Sequence, residues 1–270
     1  MVGRVPPDQL PQSPAPVTRL CLPWTVLTPR RIGALLTTCA LGALALIGAP
    51  AASAAPGDDA AVVNSWYTDF LGRPAYGDPG AQYWADRLEV QAPGDVAWAI
   101  THSREYNAQR LDDLYYYTLG RDIASDPGAQ YWVRGVDEQR FPLEWVQQNV
   151  YASPEYARGK TREQLVRSWY AGVFTSDITT FGEDSLRPPS RGEIGYWSGR
   201  IAAVGALAAY RELYYAPEVV AHRVAVHYGT LLGRAPSAGE VAYWAPKEVE
   251  SDINVQVLIA ATPEYRALSR

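Results

Sequence analysis

Cysteine is confined to Cys21 and Cys39 of this 270-residue chain. No disulfide can staple anything downstream, so the folded part rests on its apolar core, for which about 215 residues are ample. Lysine is almost missing as well, with only Lys160 and Lys247 beside abundant Arg, Ala, Gly and Pro, the usage of a GC-rich bacterial genome. Positive charge is short overall. Once the four arginines and one aspartate of residues 1–54 are set aside, 20 basic residues face 28 acidic ones, a net charge of −8 that argues against nucleic acid and against anionic membrane surfaces as partners. Histidine occurs three times, and His222 and His227 stand five apart, off the three- or four-residue spacing that shares a helix face. With no thiol nearby, no zinc site is legible, and no cofactor motif occurs. No serine sits in G-x-S-x-G, so no catalytic residue is assigned. Runs that alternate apolar and polar residues long enough for a strand are absent too.

One long apolar run is present, at residues 32–49. Arg30 and Arg31 precede it, Pro50 ends it, and Ala52-Ser53-Ala54 follows as a small-residue cleavage pattern, which together read as a secretory leader cut near Ala54. A membrane anchor over 32–49 is the alternative, since roughly 18 residues is the lower limit for a span. After leader removal no stable membrane insertion is expected.

The remainder repeats itself. "DPGAQYW" occurs at 78–84 and again at 126–132; L-G-R ends at Arg73, Arg121 and Arg234; S-R-E-Y at 103–106 returns as S-P-E-Y at 153–156 and T-P-E-Y at 262–265. Four units of about 48 residues follow, bounded at 60–108, 109–160, 161–219 and 220–270, after the extension and leader at 1–54. The third unit keeps Trp169-Tyr170, Tyr196-Trp197 and A-P-E-V at 216–219. It loses L-G-R and gains "TSDITTFGEDSLRPPSRG" at 175–192. Patterns within the units are helical: Val62, Trp66 and Phe70, shadowed by Val63, Tyr67 and Leu71, make one broad apolar face. Gly72, Gly120 and Gly233 suit left-handed C′ positions. Asp78-Pro79 and Asp126-Pro127 read as helix starts, Ser190 with Glu193 and Ser237 with Glu240 as capping boxes, and Ser153-Pro154 as another start. The seven-residue identity is therefore a folding signal that opens a helix and plants Tyr-Trp. The expected fold is all-α, tandem short-helix repeats stacked in sequence into one compact or solenoid-like array.

L-G-R, a capped helix with Tyr-Trp and S-P-E-Y together resemble the bacterial repeat family called domain of unknown function 4214, over residues 62–270 and most weakly in the third unit. The resemblance implies an exported or surface-associated bacterial protein and carries over no catalytic residue.

Trp66, Trp84, Trp132, Trp169, Trp197 and Trp244 read as core. Arg73, Arg121 and Arg234 follow helix ends, with Glu105, Glu155 and Glu264 as partners. Tyr115, Tyr116 and Tyr117 cannot share one helix face, and Tyr214-Tyr215 poses the same question, so surface aromatics are expected there. The insertion offers Ile178, Phe181 and Leu186 as a candidate ligand-binding surface, and Tyr115, Tyr116 and Tyr117 are a second candidate elsewhere on the chain. The functional expectation is an exported, non-enzymatic binding or scaffolding protein of the bacterial cell envelope with a glycan or protein partner and no cofactor. The alternative is a secreted hydrolase using Asp177, Glu183 and Asp184 of the insertion.

Overall fold

The structure is a computed structural model that describes residues 56–124, 126–175 and 187–269. The described residues form thirteen α-helices and no strand, so the fold is all-α. In chain order they are α1 (Pro56–Leu71), α2 (Pro79–Leu88), α3 (Pro93–Thr101), α4 (Arg104–Leu119), α5 (Ala129–Asp137), α6 (Leu143–Tyr151) and α7 (Arg162–Val173). Then follow α8 (Arg191–Val204), α9 (Ala206–Tyr214), α10 (Pro217–Leu232), α11 (Ala238–Glu250), α12 (Asp252–Ala260) and α13 (Pro263–Leu268). None of them is long and apolar enough to cross a membrane.

Local chemistry sets most of the boundaries. Asp78 accepts from the Gly80 N–H at 2.7 Å with Pro79 at the first position of α2, and Ser190 with Glu193 and Ser237 with Glu240 close reciprocal capping boxes on α8 and α11. Gly72, Gly120 and Gly233 lie in the left-handed region at φ 63°, 67° and 64°, where a Cβ would be strained. Two expected starts differ. Asp126 accepts from Gly128 N–H at 2.8 Å, yet Pro127 and Gly128 remain a turn and α5 opens at Ala129. Ser153 accepts from Tyr156 N–H at 3.0 Å, but 154–159 stay as turns. Gly159 swings to φ 76°, and the capping box of Thr161 with Gln164 starts α7 instead.

Each Tyr-Trp helix is fastened to the helix before it by one recurring cluster. Trp197 Nε1 donates to the Tyr170 hydroxyl at 3.0 Å and Trp244 Nε1 to Tyr228 at 2.8 Å. An arginine covers each of these tyrosines and their counterparts: Arg73 over Tyr67, Arg121 over Tyr115 and Arg234 over Tyr228. The same arginines bind Asp78 and Glu105, Asp126 and Glu155, and Glu240 and Glu264, at 2.5–3.0 Å. In the third unit, which lacks L-G-R, Arg187 takes the place. It covers Tyr170 and binds Glu193 and Glu218, both at 2.5 Å. The arginine is thus supplied from beyond the insertion instead of before it.

Two apolar cores result. One joins Val62 to Phe70 of α1 with Val224, Tyr228 and Ile259 from the end of the chain; the other joins Leu111, Tyr151, Trp169 and Tyr210. First and fourth units share the former, second and third the latter. Trp66 Nε1 donates to the Ala260 carbonyl at 3.1 Å, Tyr265 donates to Asp69 at 2.7 Å, and Arg266 pairs with Asp59. The chain does not stack in simple sequence, because its last helices pack on its first. Helices α4 and α10 contribute to both cores, α4 through Tyr106 and Leu111, α10 through Val224 and Val219.

Candidate functional site

Two positions on the opening helix of each unit separate apolar interior from charged. Eleven residues before the L-G-R arginine stand Val62, Arg110 and Arg223; seven before it stand Trp66, Leu114 and His227. The Trp-Tyr pair aligns Leu165 and Trp169 of the third unit with Val62 and Trp66. In α1 and α7 both positions are apolar, and the two indoles are fully buried, donating to the Ala260 and Tyr151 carbonyls at 3.1 and 2.9 Å. In α4 and α10 they are arginine followed by Leu114 or His227. These shorter side chains border a cavity of about 100 Å³, lined also by Arg110, Glu144, Tyr214, Arg223 and Asp252.

The cavity wall is a charged network at the seam between the cores. His227 Nε2 donates to Asp252 Oδ1 at 2.5 Å and lies 3.4 Å from Glu248 Oε2. Arg223 donates from Nε to Glu248 at 2.8 Å and from Nη1 to the Tyr214 carbonyl at 2.8 Å, with its guanidinium over the Tyr214 ring. Glu144 accepts from the Ile253 N–H and the Ser251 hydroxyl, which anchors the start of α12. Tyr106 donates to Gln256, and Arg110 pairs with Asp113 at 2.8 Å. Burial alone would push the His227 imidazole down, but Asp252 and Glu248 outweigh it and hold the ring up at about 10. Burial would raise Asp252, yet His227 and Arg223 keep its carboxyl well below the usual range. For Glu248 burial prevails and raises the group, and burial and the Asp252 charge raise Glu144. Several buried polar atoms have no hydrogen-bond partner among the described residues: the Tyr214 hydroxyl, Arg223 Nη2, Glu144 Oε2 and Glu248 Oε2. Each such atom costs roughly 1–3 kcal/mol of desolvation unless water or another group meets it.

The expected site residues fall elsewhere. Tyr115 is buried under Arg121 and leaves the candidate surface, because its position repeats those of Tyr67 and Tyr228 in the helix-fastening cluster. Tyr116 and Tyr117 are exposed and meet edge to face at 5.2 Å, and Tyr215 is exposed while Tyr214 is buried. Ile178, Phe181 and Leu186, with Asp177, Glu183 and Asp184, lie outside the described residues. Trp66, Trp169, Trp197 and Trp244 are buried, while Trp84 and Trp132 are partly buried against the cores. The network of α10, α11 and α12 was missed because histidines were weighed only against one another. Its signal was present: at aligned positions an arginine and a histidine replace Val62 and Trp66.

No protein-family model matches the chain, and neither a curated protein nor a solved structure matches it.

Proposed function

We propose that this is an exported, non-enzymatic binding protein of the bacterial cell envelope, and that its central cavity receives a hydroxyl-bearing group of an envelope glycan. The observation that carries the reading is a set of unpaired groups on residues that line the cavity: a donor at Arg223 Nη2, an acceptor at Glu144 Oε2 and a hydroxyl at Tyr214. A sugar hydroxyl both donates and accepts, so it suits all three. Export is supported by the leader-like residues 30–54, and the family resemblance rests on the motif residues alone. Binding is favoured over hydrolysis because the His227 ring is engaged by two carboxylates, donating to Asp252 at 2.5 Å and lying 3.4 Å from Glu248, and is not a free base. The acids brought together here are also engaged, Glu248 by Arg223, Asp252 by His227 and Glu144 by the start of α12. A protein partner is a second reading, supported by the exposed Tyr116–Tyr117 pair.

Tyr214→Phe tests the glycan reading cleanly, because it removes only a hydroxyl with no internal partner. The variant should keep wild-type stability and bind envelope oligosaccharides about tenfold more weakly, the worth of one hydrogen bond in a desolvated site. Absence of oligosaccharide binding by the wild type, or equal binding by the variant, would remove the cavity from the reading.

A further inference from the structure

We infer that His227, Glu248 and Asp252 form a binding site for one divalent metal ion of the zinc class. The inference goes beyond the glycan reading and does not depend on it. His227 comes from α10, Glu248 from the last turn of α11, and Asp252 from the first position of α12. Between the acids, Ser251 takes an extended conformation (φ −167°), which breaks the helix and lets both carboxylates face one imidazole. One donor atom from each residue lies within 4.8 Å of the others.

Tetrahedral zinc holds nitrogen and oxygen donors at about 2.0–2.2 Å, which places the donors roughly 3.4 Å from one another. The His227 Nε2 to Glu248 Oε2 separation is already 3.4 Å. The 2.5 Å contact to Asp252 must open by about 1 Å on the same geometry, and that side chain is a quarter exposed at a helix start bordering the cavity.

Two further observations point to a cation. Glu248 Oε2 has no hydrogen-bond partner although its side chain is fully buried, and it faces the same nitrogen that Asp252 binds. Formal charge agrees. Glu144, Glu248 and Asp252 oppose only Arg223 and His227, while Arg110 is matched by Asp113. A dication in place of the imidazole proton would balance the three carboxylates together with Arg223. One imidazole and two carboxylates suit zinc better than a soft thiolate-seeking ion or a hard ion wanting six oxygens. His227 and Asp252 border the cavity, so the fourth position opens onto it.

The test is equilibrium dialysis of the untagged full chain, carrying Cys21→Ser and Cys39→Ser, against Zn²⁺ alone, with Co²⁺ as a spectroscopic probe. The expected result is saturable uptake of one ion per chain and visible Co²⁺ bands of a four-coordinate site. Asp252→Asn and His227→Gln should each weaken uptake at least tenfold, in line with the general cost of disturbing a metal site. His222→Gln and His102→Gln should leave it unchanged. Circular dichroism checks the helices, and if His227→Gln fails to fold, the near-isosteric Asp252→Asn decides. No saturable uptake by the parent chain, or uptake that Asp252→Asn leaves intact, would overturn the site.

Discussion

Helices α1 and α7 and helices α4 and α10 open aligned units and carry the same tyrosine at the same place, Tyr67, Tyr170, Tyr115 and Tyr228, each covered by an arginine. They differ at two side chains. In α1 and α7 a branched aliphatic residue and an indole close the core. In α4 and α10 an arginine and a smaller partner leave a charged cavity where the two cores meet. The lesson is that a repeat can keep its fastening chemistry constant while two positions per helix decide whether the interior is filled by apolar side chains or holds a charged cavity.

The comparison breaks most visibly at the indoles. Trp169→Ala and Trp66→Ala should each cost about 4–5 kcal/mol, because a fully buried ring is lost and a carbonyl is orphaned. Denaturant midpoints would measure it. Trp84→Ala, at a partly buried ring, should cost about half as much. Equal losses at Trp66 and Trp84 would mean that the opening helices are not the principal seat of packing.

Next in size is the conversion of α10 toward the apolar pattern. Arg223→Leu should destabilise by about 3 kcal/mol, since it strands Glu248 in the interior. Adding Glu248→Leu should recover most of that, because an apolar pair replaces a buried ionic one at little net cost. A double variant no more stable than the single one would show that the Arg223 pairing is worth more than its removal from water costs.

The smallest effect tests the fastening cluster, which should be alike in units with a charged interior and units with an apolar one. Arg187→Ala should cost about 1 kcal/mol or less at neutral pH, the usual worth of a partly exposed ion pair. Its signature is in acid. Burial would raise Glu193, but Arg187, with help from Ser190, holds it at about 2 against 4.5 for the free group. A depressed carboxylate stabilises above the unfolded value and loses that contribution as pH falls from about 4.5 towards 2. The melting temperature of Arg187→Ala should therefore fall less steeply than wild type across that window. Parallel slopes would show that Glu193 takes its support elsewhere.

Much of the fold was legible because its signals are short-range. The glycines at 72, 120 and 233, the capping boxes at 190 and 237 and the Glu105, Glu155 and Glu264 partners each follow from offsets within one unit or to the next. The turn at 153–159 was not legible, because Gly159 and the Thr161 cap compete with a valid Ser153 start and only their balance decides. The substitution of Arg187 for the missing L-G-R arginine escaped for a related reason: it arrives from the far side of an insertion, where no fixed offset applies. Half of the Tyr115 to Tyr117 expectation was geometric and survives, since a helix must expose part of such a run, but which ring turns inward depends on register within the fastening cluster.

By itself the sequence determined the all-helical character, the helix starts and stops and the recurring ion pairs, because backbone capping and neighbouring charges act over a few residues or at a constant spacing. Tertiary structure alone decided that the first unit packs with the fourth and the second with the third. Burial of apolar surface is non-directional, and the faces built from Val, Trp, Tyr and Phe are similar enough that any could cover another. That pairing carries α4 and α10 across the seam and brings Glu144, 83 positions before His227 in the chain, to the same cavity.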